Sequence, residues 1–445
     1  MTTEPTPQRR PARVTLWLTA ALALWAVLLT ASACTFNLRP LLADVSVEPA
    51  VISPNADGVT DAAMIRYRLG RSAEVSIYFE DERGRRHYFR RSQLRSPGKY
   101  SVAWGGVINE PHIVDNGYGP QQVLGQVLPD GAYRWTVEAV DKRGNRAARS
   151  GTIVLQDGDT ALPELRNFTV VPQEFRPNQD GLRDDWVSIS YYLPKDVDDV
   201  QVYLVDPAQP TVKYPIPERE RVIRPGQAGY HEYRYEGGVD QGAVPPPNGL
   251  YYIFGEARDL AGNHVVVSST LTIVDGGKPR ADILQGEIDW AGEMNRVVSV
   301  PLGGTLCFTA TVQNEGAVSI RTAGPWPGTT YQFTENNNTL ALKYDDPSFR
   351  QQAGVFRFGV NYDTTGLDFP FRWAIGRKED LERRVIDGRE QWYLLPGQRG
   401  LTYGCIQFNE APPIGTNFWW GGLIHEFVDV PNNYVDRISV IVGEP

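Results

Sequence analysis

Ser53-Pro54-Asn55-Ala56-Asp57-Gly58-Val59-Thr60-Asp61 decides the fold, because the chain contains this stretch twice. The second copy is Arg176-Pro177-Asn178-Gln179-Asp180-Gly181-Leu182-Arg183-Asp184. Each copy opens a unit that closes in the same way. The first closes with Asp130-Gly131-Ala132-Tyr133 and then Asp141-Lys142-Arg143-Gly144-Asn145; the second closes with Asn248-Gly249-Leu250-Tyr251 and then Asp259-Leu260-Ala261-Gly262-Asn263. Opening and closing markers recur about 120 positions apart, and a near-constant offset over a whole unit signals a duplicated domain.

Between the markers, apolar and polar residues alternate with a period of two at 64–69, 74–79, 100–104 and 133–139. The second copy repeats this at 188–193 and 200–204. Alternation bounded by turn residues predicts strands with one buried face. About seven short strands in about 115 residues predict an immunoglobulin-like sandwich. Tyr133 and Tyr251 stand where such sandwiches place a corner tyrosine, or are ordinary half-buried strand tyrosines. The copies differ in their loops, with an excursion at 105–129 in the first and Pro-rich stretches at 207–225 and 245–247 in the second.

The Ser-Pro-Asn-x-Asp-Gly-x-x-Asp pattern, the alternating strands, an aromatic-Gly-Gly segment and Asp/Asn-Gly-x-Tyr resemble the FlgD-type immunoglobulin-like domain over about 44–275. The resemblance implies tandem sandwiches in a bacterial exported protein. It does not bring the hook-capping role, since nothing here looks like the hook-binding part. After a turn-rich linker at 275–279 the repeat stops, although strand-like segments continue. Gly303-Gly304-Thr305-Leu306 leading to Thr311-Val312-Gln313-Asn314-Glu315-Gly316, with 421–426 and the closing strand, resembles the bacterial cell-adhesion-related sandwich domain. The segment 378–384 reads as a short, charged surface helix. The expected fold is all-β, three consecutive immunoglobulin-like sandwiches. The layout is 1–34 signal peptide or membrane anchor, 35–43 tether, 44–159 first sandwich, 160–278 second, and 279–445 a Trp-rich third.

Arg9, Arg10 and Arg13 precede an apolar run at 14–33 that closes in Ala31-Ser32-Ala33-Cys34. Small residues before Cys34 suit a signal peptidase. The cysteine directly after them resembles a bacterial lipoprotein box, which implies acylation of Cys34. Cleavage after Ala33 without acylation and an uncleaved spanning helix remain open. In each case the basic flank stays inside, and the rest of the chain is exported and tethered to or released from the membrane. That leaves Cys307 and Cys405 as a pair in an oxidising compartment. A disulfide closing a loop of about 100 residues contributes up to ~4–5 kcal/mol in the chain-entropy picture.

A net charge of −9 with mixed signs argues against nucleic-acid binding. The loop oxygens of Asn55, Asp57, Val59 and Asp61, and of Asn178, Asp180, Leu182 and Asp184, have the spacing of a calcium loop. The first acid and the bidentate glutamate are replaced by Ser53 and Met64, and by Arg176 and Val187. The same residues equally shape a turn by bonding their own backbone. Calcium and turn both stand at this point.

His87, His112, His231, His264 and His425 show no ligand spacing, and no nucleophile elbow, zinc-protease or phosphate-cradling motif appears. A non-enzymatic protein is expected. Six Trp fall in the third region (Trp290, Trp326, Trp373, Trp392, Trp419 and Trp420). Trp419 and Trp420 on one strand face opposite sides, so one ring is a candidate exposed platform. The expected function is a structural, adhesion or protein-interaction module of the cell envelope. Its partner is then an envelope or extracellular protein. The alternative is polysaccharide binding through Trp419 and Trp420.

Overall fold

The computed structural model describes residues 40–218, 223–239 and 242–443. The predicted signal or anchor segment 1–34, with Cys34, lies outside the described residues, as does most of the predicted tether. The chain forms two compact units. One runs through Glu164 and includes Asp196–Asp199 and Ala257–Val266; the other comprises Leu165–Lys195, Val200–Glu256 and Val267 onward. Both are almost wholly β and are built of packed sheets.

In the first unit a three-stranded antiparallel sheet runs in the order Leu42–Glu48, Ala63–Leu69, Gly98–Trp104. It faces a five-stranded sheet in the order Val51–Ile52, Arg146–Leu155, Gly131–Asp141, Ala73–Glu80, Arg86–Arg95. Alternate residues of Ala63–Leu69 are buried, as the period of two dictates. Ile65, Tyr67, Ile77, Phe79, Trp104 and Val137 meet in one core, each large apolar side chain contributing about 1.5–3 kcal/mol. Phe79 stacks on Trp104 at 3.5 Å, and the buried indole donates to Val107 O at 2.9 Å. Leu41 and Leu42, read from sequence as tether, are buried in this core, so the first strand opens there. The 105–129 excursion forms strand Pro120–Val127, flanked by Val107–Ile108 and His112–Asp115.

The second copy of the plan repeats the three-stranded sheet as Arg166–Val171, Val187–Leu193, Gly229–Tyr235. The register repeats as well. Val47 lies opposite Ile65 and Val170 opposite Ile189, and each first strand carries an irregularity just before that pair. The short parallel pairing of Ile52 with Leu155 recurs as Phe175 with Ile273.

The C-terminal region has a four-stranded sheet in the order Ala281–Trp290, Thr305–Asn314, Arg399–Gln407, Thr330–Gln332. A larger sheet runs Val297–Pro301, Asp429–Gly443, Phe418–His425, Val355–Tyr362, Ile320–Thr322, Arg389–Leu394, Glu382–Ile386, with Phe371–Ala374 paired to Val355–Tyr362. One core between them gathers Trp290, Phe308, Phe358, Trp373 and Trp419. The expected helix at 378–384 is instead a 3-10 turn, Lys378–Asp380, leading into strand Glu382–Ile386. Glu382–Ile386 pairs along Arg389–Leu394, and that ladder outweighs helix propensity in a short charged run. Among the described residues an α-helix lies at Asn337–Lys343, closed by a capping box between Asn336 and Thr339.

Candidate functional site

The two copies of the opening loop have one internal geometry. In the first, Asn55 Oδ1 accepts the Asp57 N–H at 3.0 Å and Asp57 Oδ1 accepts the Val59 N–H at 2.7 Å. The Asp61 carboxylate takes the Gly58 and Ala56 N–H groups at 2.8 and 3.0 Å. In the second, Asn178 accepts from Asp180 at 3.1 Å and Asp180 from Leu182 at 3.0 Å. There the closing acid is Asp185, which takes the Gly181 N–H at 2.6 Å. Asp184, the sequence candidate, pairs instead with Arg176 at 2.8 Å. A 3-10 turn at Arg183–Asp185 supplies the extra residue. The side-chain oxygens of Asn55, Asp57, Asp61, Asn178 and Asp180 are thus engaged by backbone amides, the arrangement of a turn. Among the described residues no group of three or more His, Cys, Asp or Glu is placed to hold a metal ion.

The loops differ in their surroundings. Asp57, Gly58 and Val59 are exposed, and a Cβ at Gly58 would meet nothing within 4 Å. Asn178 and Asp180 are buried, because the C-terminal sheets dock on this loop. Gly181 and Gly354 approach so closely that a Cβ on either would overlap the other segment's backbone, and both have positive φ. The Tyr393 hydroxyl donates to Asp180 Oδ2 at 2.9 Å. His425 Nε2 lies 3.0 Å from Gln179 O, its ring stacked on Phe356 at 4.0 Å. Burial raises the Asp180 carboxyl, and burial together with the Asp180 charge pushes Asp185 up to about 7. Burial holds His425 below its ordinary value.

Beside this junction, the C-terminal region encloses a pocket of about 420 Å³. Asn336–Asn338, 367–370 and the turn 427–430 form its walls, with Arg372 and Glu426 at its floor. Glu426 Oε1 accepts from Arg372 Nη1 at 2.8 Å and from the fully buried Arg357 Nη1 at 2.9 Å. Arg357 also donates to the carbonyls of Ala323, Ser348, Phe349 and Arg350. The floor is therefore a closed hydrogen-bonded network that fixes the pocket's shape. Its rim is mixed: Leu367, Phe427 and Val428 are exposed beside Asn338, Asp368 and Asp429. Phe427 is 76% exposed and sits at φ 62°, a left-handed backbone that costs a non-glycine residue about 1–2 kcal/mol.

Trp419 and Trp420 do face opposite sides, but both are buried, at 0% and 6% exposure. Trp419 lies in the main core, and Trp420 packs with Phe369 and Ile424 and stacks on Tyr434 at 4.6 Å. Neither ring is a platform: Trp419 is covered by the core between the two sheets, and Trp420 by Phe369, Ile424 and Tyr434, the last from the irregularly paired neighbouring strand Asp429–Gly443. Trp326 and Trp392 are half-buried and meet edge to face at 6.0 Å, with Lys378 over both.

Cys307 and Cys405 sit directly opposite on paired strands and form a disulfide. Tyr133 and Tyr251 are corner tyrosines, each donating to the carbonyl four residues earlier, Pro129 O and Pro247 O, at 2.8 Å. Tyr100 repeats the device onto Ser96 O at 2.7 Å. His231, its counterpart in the second copy, is buried between Gln227 O at 2.8 Å and Glu218 at 2.9 Å. A Gly two residues before each ring (Gly98, Gly131, Gly229, Gly249) was the sequence signal for this set. Glu426 turns to the arginines while its neighbour His425 faces the second loop, as opposite faces of a strand require.

Among the described residues no helix is long and apolar enough to cross a membrane. No family model and no curated protein matches the chain. Solved structures similar to it include the native conformation of E. coli alpha-2-macroglobulin, at 13% identity and TM-score 0.18 over 91% of this chain; the match spans 23% of that protein. A tetra-tandem repeat in the extending region of a large adhesion protein matches at 14% identity and TM-score 0.18, over 85% of this chain and 80% of that one. A solved chain from work on host cell surface retention of a 1.5-MDa bacterial ice-binding adhesin matches at 11% identity and TM-score 0.18, over 92% of this chain and 100% of that solved chain. At these TM-scores the likenesses carry no functional inference.

Proposed function

We propose that the chain is a non-catalytic, exported interaction module, tethered to the membrane through its N-terminus, that recognises an envelope or extracellular protein with the pocket rim of its C-terminal sandwich. The observation that carries this reading is Phe427, an aromatic ring held in solvent on a left-handed backbone. With most of its ring in solvent the residue adds little to its own fold, and backbone strain of this kind clusters at ligand clamps and active sites. The sandwiches act as spacers. Glycan binding through Trp419 and Trp420 loses its basis, since both rings are core.

The test is crosslinking on intact cells with the natural chain and with Phe427→Asn, which suits the left-handed backbone better than Phe does. One specific partner captured by the natural chain and lost from an equally stable Phe427→Asn chain is the expected result. Undiminished capture of the same partner by the variant refutes the assignment. The anchor is tested separately: Cys34→Ala moves the chain out of the membrane fraction if Cys34 is acylated.

A further inference from the structure

The duplicated loop is seen in this chain both docked and undocked, and the comparison shows what it binds. Three groups of the second copy make close contacts with the C-terminal sandwich. These are the carbonyl of Gln179, the carboxylate of Asp180 and the bare backbone of Gly181. All three have counterparts in the first copy as the Ala56 carbonyl, Asp57 and Gly58. Backbone geometry is kept as well: Gln179 and Ala56 lie at φ 55° and 65°, Gly181 and Gly58 at φ 76° and 87°. Three internal hydrogen bonds recur in both loops: Asn to the Asp N–H, Asp to the Val59 or Leu182 N–H, and the closing acid to the Gly N–H. The tip of the first loop is therefore already close to the docked conformation, which lowers the ordering cost of association.

We infer that the exposed loop at Ala56–Gly58 is a second docking site, whose occupant is a β-domain of a partner protein. Such a partner presents what the C-terminal sandwich presents to the second loop: a glycine at positive φ, a phenolic hydroxyl and an imidazole N–H. The occupant is a folded domain with these three groups at fixed spacing, and not an extended peptide, because the groups come from three separate strands and turns (Gly354, Tyr393 and His425). This site is separate from the Phe427 rim, so either assignment can fail alone.

The probe is the chain's own C-terminal face, released by Gly181→Val in the full-length protein. The branched side chain cannot enter the Gly354 contact and disfavours positive φ. Sedimentation velocity over a concentration series should show the natural chain monomeric and Gly181→Val self-associating as freed faces find Gly58 loops on other molecules. Adding Gly58→Val should weaken that association at least tenfold. Circular dichroism checks that each variant is folded. Asp180→Ala, which removes the acceptor for Tyr393 and for the Leu182 N–H, releases the face without a steric clash and goes through the same pair of measurements. Both released chains remaining monomeric, or associating equally with and without Gly58→Val, overturns the proposal.

Discussion

Replacing Arg357 with Met tests whether the closed network under the pocket holds the C-terminal sandwich together. Arg357 is fully buried and bonded to Glu426 and to four carbonyls. Two of these have other donors, since Phe349 O also receives Asn337 and Ser348 O also receives Gln352. The substitution leaves Ala323 O and Arg350 O without the donor Arg357 supplies, at about 1–3 kcal/mol each. Glu426 keeps Arg372 and the Gln352 N–H, so its charge is still compensated. Met restores part of the packing. The net loss should be about 3–5 kcal/mol, the range for breaking a buried ion pair. With a urea slope near ~2 kcal/mol/M, the midpoint moves down by about 2 M. Fluorescence of the buried Trp290, Trp373 and Trp419 reports the transition. Glu426→Gln should lose a comparable amount, because two adjacent guanidinium groups then face a neutral amide. The double variant should lose less than the two singles together. A midpoint for Arg357→Met within about 0.5 M of the natural chain would refute the reasoning, since it would mean that the network contributes almost nothing.

Reduction of Cys307–Cys405, separated by 98 residues, should lower the melting of the C-terminal sandwich by on the order of 10 °C. The first unit should melt unchanged, and a shift in its transition alone would contradict the pairing. Asp185, raised in the folded state to about 7 from 3.8, binds more protons folded than unfolded between those values. Its contribution is complete below about pH 4 and is lost as pH rises through about 7. The natural chain should therefore lose more stability than Asp185→Asn over that window in paired denaturation curves, and parallel curves would count against it. If the Asn-x-Asp-Gly loops are turns, calcium and chelator should leave the melt of the first unit unmoved. Asn55→Ala should lower its stability by about 1 kcal/mol; a calcium-dependent rise in melting would restore the cation reading.

Much of the fold was readable because duplication makes a sequence its own comparison. The paired loops and the period-two strands rest on local spacing, and local spacing survives folding; the cysteine pair, 98 residues apart, followed only from setting Cys34 aside, and the tyrosines stood open between corner and ordinary strand roles. Asp185 was missed because the second copy carries one residue more before its closing acid, and offset arithmetic cannot see a shift inside a turn. The tryptophans misled because alternation gives the side a ring faces but not whether another strand covers that side; Asp429–Gly443 covers Trp420. The docking of Gly354 on Gly181 had no signature at all. It joins two turns far apart in the chain, and glycine looks the same in sequence whether it turns the backbone or admits a neighbour.

That contact also constrains how such a protein can be rebuilt over evolutionary time. Part of its complementarity lies in the absence of side chains, so Gly181 and Gly354 tolerate no replacement that adds a Cβ. Recombination within the 275–279 linker would graft an incoming terminal domain onto a loop it could not approach, unless that domain brought its own glycine to the same place. A recombination that keeps this contact has to carry the second sandwich and the domain after it together.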